Sequence, residues 1–169
     1  MLNTLPSFRH AAVNTVVLVL TAFGGANVAW GANDIVIGQS LDFGPTSWAR
    51  LKEFSRGVDS YLGQINAAGG IKGRKIKLIR YDDQFKPDKA LENAKKLVEV
   101  DKADVLFAFG SAPNFGAILP YSTKAGIPVF GAISGADSIR RFNPLAFHYR
   151  ASFSDEINRI VQHVSRYGY

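Results

Sequence analysis

The stretch INAAGGIKGRKIKLIRYDD, residues 65–83, marks the passage from a helix into a strand. Gly69 and Gly70 can stop a helix, and Gly73 can turn the chain into the run that follows. That run begins with Lys/Ile/Lys/Leu alternation, which is typical of a strand with one solvated face. The glycines and basic residues of the stretch also leave open a second interpretation, a loop that grips an anion.

The same alternation of strand and helix extends in both directions from this unit. Apolar residues recur at helical spacing in four segments, the last of which is predicted to be capped by Ser154. Strand followed by helix five times over predicts parallel strands joined by right-handed crossovers, and therefore a doubly wound α/β sheet. The five predicted strands cover residues 34–40, 75–83, 104–110, 127–134 and 146–152. The inner face of the last helix is predicted to be Ile157, Ile160, Val161 and Val164.

Composition fits one globular domain, since 47% of the 169 residues are hydrophobic and 20% are charged. The net charge of +6 is spread along the chain in runs no longer than two, so we expect a solvated surface and no nucleic-acid partner. The chain has no cysteine, which excludes disulfides, thiolate metal sites and cysteine nucleophiles.

Residues 1–31 have the layout of a secretory signal peptide. Basic Arg9 precedes an apolar block at residues 11–23, and small residues at positions 29 and 31 follow. We predict cleavage after Gly31, which leaves residues 32–169 as the mature domain. The alternative is an N-terminal membrane anchor, but the block is short for a span. Without a cysteine to carry lipid, the mature protein is expected to be free in a bacterial periplasm.

Two loops that follow predicted strands can bind an anion. In an open α/β sheet, ligands bind at the carboxyl edge of the strands. Residues 110–114, GSAPN, and residues 134–138, SGADS, both lie at this edge, and each combines a hydroxyl with backbone N–H groups. The glycine-rich loop at 69–75 precedes a strand, so it is placed at the opposite edge and is predicted to be a structural turn.

No motif supports an enzymatic function. The sequence contains no G-x-S-x-G elbow, Walker loop or H-E-x-x-H pair, and no metal or cofactor motif. His148 falls within a predicted strand and His163 on the outside of the last helix, and neither belongs to a triad signature. Asp82 and Asp83 end the second strand, where we interpret them as residues that cap the loop and the next helix.

Three segments carry a family resemblance: residues 57–98, residues 126–140 and residues 147–164. They resemble the N-terminal lobe of the periplasmic branched-chain amino acid binding proteins, the class I solute-binding proteins of ABC importers. The resemblance implies strand order 2-1-3-4-5, no enzymatic activity, no cofactor, and a membrane permease as partner. It also implies that the loops after strands three and four hold the carboxylate of a small solute. The implied ligand-binding residues are Ser111, Ala112, Ser134, Gly135 and Ala136, with Phe43 and Trp48 as apolar walls.

Two departures from the family pattern limit what the resemblance implies about the ligand and about the domain organisation. Residues 112–114 are Ala-Pro-Asn where many relatives have hydroxyl residues, a departure that disfavours leucine-type ligands and leaves other amino acids, amides or aromatic carboxylates open. Relatives continue into a second lobe, so this chain is expected to be the first lobe alone. The alternative function is a ligand-sensing domain of the same fold, coupled to a signalling partner.

Overall fold

The computed structural model describes residues 34–45, 47 and 49–168. Five parallel strands form one sheet in the order β2-β1-β3-β4-β5, as expected. The doubly wound α/β fold is therefore confirmed. The strands are β1 Ile35–Leu41, β2 Ile76–Asp82, β3 Val105–Phe109, β4 Val129–Ala132 and β5 Ala146–Phe147.

Four α-helices connect or follow the strands. They are α1 Ala49–Ala67, α2 Pro87–Glu99, α3 Ala112–Ala125 and α4 Phe153–Arg166, and a short 3₁₀ turn covers Asp137–Ile139. Pro87 opens α2 because its missing N–H costs nothing in a first turn. Gly126 ends α3 in the left-handed conformation that helix termini favour. Within the described residues, no helix is both long and apolar enough to cross a membrane.

The core lies between the sheet and the helices α2 and α3. Its central side chains are fully buried and come from β3, α2 and α3, so the middle of the chain supplies most of the apolar burial. They include Leu97, Leu106, Phe109, Phe115 and Ile118. On the other side of the sheet, the rings of Phe107, Phe130 and Phe147 stack across β3, β4 and β5, and the last two are about half exposed.

The glycine-rich stretch is a structural turn at the amino edge of the sheet. Gly69 and Gly70 follow α1 with φ angles of 104° and 81°, and Ile71 and Arg74 pair across the turn. A Cβ on Gly70 would come within 2.0 Å of the Arg74 carbonyl oxygen, so glycine is required there. The chain then enters β2 directly, in agreement with the turn interpretation.

The last unit departs from the prediction in three ways. Strand β5 contains two residues instead of the seven expected at 146–152, because Tyr149 packs its ring over Gly131 and the chain leaves the sheet. The cap of α4 is Ser152, not Ser154, because Ser152 and Asp155 form a reciprocal capping box. The predicted inner face of α4 is apolar as expected, but none of its residues is buried.

Candidate functional site

A cleft of about 380 Å³ opens at the carboxyl edge of the sheet, between the loops that follow β3 and β4. Three of the predicted site residues, Ser111, Ala112 and Ser134, line it together. The parallel topology brings Ser134 beside Ser111 and Ala112, although more than twenty positions separate it from them in sequence. The remaining lining residues are Arg50, Phe85, Gly110, Pro113, Ile133, Arg150 and Phe153.

Ser111 is the N-cap of α3. Its hydroxyl oxygen accepts a hydrogen bond from the amide of Asn114 at 3.1 Å, and the hydroxyl proton remains available to donate. Pro113 has no N–H group. Of the other backbone amides in the first turn of α3, that of Ala112 has no hydrogen-bond acceptor among the described residues. The helix therefore presents one amide and one hydroxyl to the cleft, at its positive end.

The loop after β4 contributes one of its three predicted residues. Ser134 lines the cleft, and its oxygen accepts the amide of Ala136 at 3.2 Å, so that amide is already used. Gly135 is buried beneath the ring of Phe153, where an added Cβ would lie 2.8 Å from the ring carbon Cδ1. Gly135 and Ala136 consequently shape the loop and do not line the cleft.

Phe43, the one predicted apolar wall residue that the structure describes, does not line the cleft. Phe43 follows β1, where its amide donates to Asp82 at 3.2 Å and the Arg80 guanidinium lies 5.8 Å from the centre of its ring. Trp48 lies outside the described residues. Phe85 and Phe153 supply the aromatic surface of the cleft instead.

Two arginines in the cleft were missed by sequence reasoning. The guanidinium of Arg150 makes two hydrogen bonds to Glu156, at 2.8 and 2.7 Å, and lies 5.1 Å from the centre of the Phe153 ring. These bonds lower the pKa of Glu156 and raise that of Arg150, so both groups are ionised at neutral pH. Arg50 enters from the first turn of α1, one hundred positions away in sequence.

An adjoining cavity of about 340 Å³ extends the cleft toward α1. It shares Arg50, Ile133 and Arg150 with the first cavity. Its other walls are apolar and come from α1 and the segment after β5, so the combined space is polar at one end and apolar at the other. These walls are Leu51, Phe54 and Tyr149.

Asp83 supports the cleft from beneath. Its side chain is fully buried and accepts hydrogen bonds from the Ser40 hydroxyl at 3.1 Å, the Asn114 amide group at 3.0 Å and the Phe85 backbone at 2.8 Å. Burial raises the pKa of Asp83 above its usual range, and the three hydrogen bonds oppose that rise. Asp83 thus caps its loop, as interpreted from sequence, and also joins β1, the loop after β2 and α3. The prediction that Asp82 or Asp83 caps the next helix is wrong, because the N-cap of α2 is Lys86, which makes no side-chain cap hydrogen bond. Asp83 holds Phe85 at a φ of 62°, a strained value for a bulky residue.

The two histidines among the described residues lie away from the polar end of the cleft. His148 packs against Phe115 with ring centres 5.4 Å apart, and burial is the main cause that lowers its pKa, followed by the charge of Arg140. His163 is exposed on α4, where its ring contacts Tyr167. In the part of the chain that the structure describes, no three His, Asp or Glu side chains converge to hold a metal ion.

The sequence and fold match known proteins. The family model described as periplasmic binding protein matches residues 34–169. The chain belongs to the periplasmic binding protein family. A Brucella abortus relative named Leu/Ile/Val-binding protein homolog 7 is 30% identical over 145 residues, which cover 81% of this chain and 35% of the relative. An amino acid binding protein of Pseudomonas aeruginosa is 38% identical over 87 residues, covering 52% of this chain and 21% of that protein.

A solved structure supports the same assignment. The extracellular ligand-binding receptor from Verminephrobacter eiseniae superposes with a TM-score of 0.71 at 31% identity, covering 80% of this chain and 39% of the receptor. The resemblance recognised in the sequence is thereby confirmed, and the described residues form one lobe of a periplasmic binding protein. The chain spans little more than a third of the length of the Brucella relative and of the Verminephrobacter structure.

Proposed function

We propose that this lobe is the solute-binding component of an ABC importer, specific for branched-chain or other amino acids, amides or related small carboxylates. The observation that carries the proposal is the convergence of Ser111, Ala112 and Ser134 on one cleft at the carboxyl edge. The names of the Brucella and Pseudomonas relatives support an amino acid as the solute.

The carboxylate of the solute is proposed to bind the hydroxyls of Ser111 and Ser134 and the amide of Ala112. Because Glu156 balances the charge of Arg150, these neutral donors are the principal anchor, and Arg50 adds a cation at the rim. The apolar cavity beside the cleft has room for an aliphatic or aromatic side chain. Phe85 and Phe153 are proposed as apolar contacts, whereas Gly135, Ala136, Phe43 and Trp48 remain predictions from the family resemblance.

The wider biological role follows from the family. We propose a non-enzymatic protein that acts in the periplasm, reaches it through the signal peptide at residues 1–31, and delivers its solute to an inner-membrane permease. Residues 32–169 are proposed to be the N-terminal lobe. One lobe offers half of a closing site, so we expect weak affinity from this chain alone.

The proposal can be tested by titration calorimetry of the chain. The solutes are leucine, isoleucine, valine and a panel of amides and aromatic carboxylates. The informative variant is Ser111→Asp, because aspartate preserves the helix cap while it places a negative charge against the solute carboxylate. We expect binding to weaken by at least about tenfold, or roughly 1.4 kcal/mol. The matched control is Ser60→Ala at an exposed position of α1, which should bind as the parent does. Solute binding that Ser111→Asp leaves unchanged would contradict the proposal.

A further inference from the structure

Asp83 and the proposed carboxylate site share the first turn of α3. Asn114 lies in that turn, and its side-chain Nδ2 donates to the Asp83 carboxylate at 3.0 Å. The backbone amide of the same asparagine donates to the Ser111 hydroxyl at 3.1 Å, and Ser111 lines the cleft. Asp83 and Asn114 are both fully buried. One asparagine therefore links a buried carboxyl group to a donor of the proposed site.

A negative charge on Asp83 opposes an anion in the cleft. Both charges approach the positive end of α3, Asp83 from within the lobe and the solute carboxylate from the cleft. Two hydrogen bonds and one asparagine lie between Asp83 and Ser111, so the two charges are about 10 Å apart. At an effective dielectric constant of about 20, the repulsion between two unit charges at this distance changes a binding constant about tenfold.

Asn114 can bond to Asp83 in either protonation state. Its side-chain oxygen Oδ1 is buried and has no hydrogen-bond partner among the described residues. When Asp83 is ionised, Nδ2 donates to the carboxylate. When Asp83 is protonated, half a turn of the amide group brings Oδ1 to the same place, where it accepts the carboxyl proton. Proton uptake by Asp83 therefore keeps the link between the two side chains.

The charges around Asp83 set the conditions under which it ionises. Its three hydrogen-bond donors, from Ser40, Asn114 and Phe85, are all neutral. Burial is the largest cause that raises the pKa of Asp83, and the charge of Asp82 in the same loop adds to the rise. The charged groups on the surrounding elements are Lys86 and Lys89 at the start of α2, Arg50 of α1, and Arg150 and Glu156 beyond β5.

We propose that Asp83 is a positioning residue that makes the carboxylate site of this lobe dependent on pH. The lobe binds a carboxylate more tightly when Asp83 is protonated than when it is ionised, and binding draws a proton from the solvent onto Asp83. Asp83 has this role only if Ser111, Ala112 and Ser134 hold a carboxylate, as the proposed function requires.

Titration of the chain with sodium formate, followed by NMR spectroscopy, tests the coupling. NMR detects weak binding, which a single lobe is expected to give, and formate is ionised from pH 5 to pH 9. The backbone amide signal of Ala112 reports binding at the site, and the Cγ signal of Asp83 reports its ionisation. Sodium chloride at the same ionic strength is the reference.

We expect the dissociation constant for formate to be about tenfold lower below the titration midpoint of Asp83 than above it. Formate should also raise that midpoint, because the two effects are linked. Asp83→Asn removes the charge, so its affinity should equal that of the protonated parent and stay constant from pH 5 to pH 9. Asp82→Asn is the matched control, since Asp82 is exposed and does not line the cleft, and it should keep the pH dependence of the parent.

The outcomes separate this role of Asp83 from the proposed function. Formate that shifts the Ala112 amide equally at every pH, with an unchanged Asp83 midpoint, would overturn the coupling and leave the carboxylate site standing. Formate that shifts the Ala112 amide at no pH would overturn both. A pH dependence that persists in Asp83→Asn would assign it to another group, such as His148, and would also overturn the coupling. The parent titration decides even if Asp83→Asn is too unstable to fold.

Discussion

Replacement of Asp83 by asparagine measures the energy of the buried group that joins three segments at the carboxyl edge. Its two carboxylate oxygens accept from three donors, the Ser40 hydroxyl, the Asn114 side chain and the Phe85 amide. An asparagine keeps one acceptor oxygen and turns an NH₂ group toward the other donors. At least one buried donor then loses its partner, which costs about 1–3 kcal/mol of unfolding free energy.

The pH dependence of this penalty tests its physical origin. Burial raises the folded-state pKa of Asp83, so its contribution to stability is fully present below its unfolded pKa of about 3.9 and declines as pH rises through the folded value. Asparagine does not titrate. The Asp83→Asn penalty should therefore be largest near pH 4 and shrink toward pH 8.

Urea unfolding of the parent and variant between pH 4 and pH 8 provides the assay. The matched control is Asp82→Asn, because Asp82 is exposed and water can replace its hydrogen bonds to the amides of Phe43 and Gln84. Its penalty should be smaller. A penalty for Asp83→Asn that grows from pH 4 to pH 8 would refute the reasoning, since it would mean that the fold lowers this pKa.

Three further predictions concern local structure. Ser152→Ala removes the cap of α4 and should cost about 1 kcal/mol, seen as reduced helical circular dichroism; unchanged helicity would contradict the capping box. Ala108→Gly should raise the thermal midpoint, because Ala108 holds a φ of 54° within β3 at a cost of about 1–2 kcal/mol. The control substitution Ala132→Gly, at a buried position of β4, should lower the thermal midpoint. Glu156→Gln should lower the urea midpoint above pH 5, where Glu156 is ionised and paired with Arg150. The difference in midpoint between parent and variant should vanish as the pH falls through the depressed pKa of Glu156. A difference in midpoint that persists in acid would contradict the ion pair.

Periodicity and topology rules were sufficient to predict the fold class, and the family resemblance supplied the strand order. Parallel pairing follows from the alternation of apolar runs with helical segments, and together with the order 2-1-3-4-5 it places the loops after β3 and β4 side by side. The incorrect predictions concern β5, the last strand of the sheet. The apolar and aromatic residues after Phe147 fit a strand, but Tyr149 and His148 pack against Gly131 and Phe115 instead of continuing the ladder. Such tertiary contacts leave no periodic signal in the sequence.

The candidate site was predictable only in part, for a similar reason. Hydroxyls that follow buried strands identify Ser111 and Ser134, because the chemistry and the position are both local. Arg50 and Arg150 approach the cleft from α1 and from the segment after β5, and only the assembled lobe brings them together. The capping box at Ser152 had a readable signal, serine followed three positions later by aspartate, that points to this serine and not to Ser154.

The two edges of the sheet resist strand addition by different means. The β2 edge is seven residues long and carries Lys77 and Arg80, whose charges disfavour stacking against another strand. The β5 edge lacks such charges and exposes Phe147, but it offers only two paired residues after Pro144, too few to template a neighbour. Lengthening β5 would remove that protection, so insertions that extend this strand are expected to lower the solubility of the lobe.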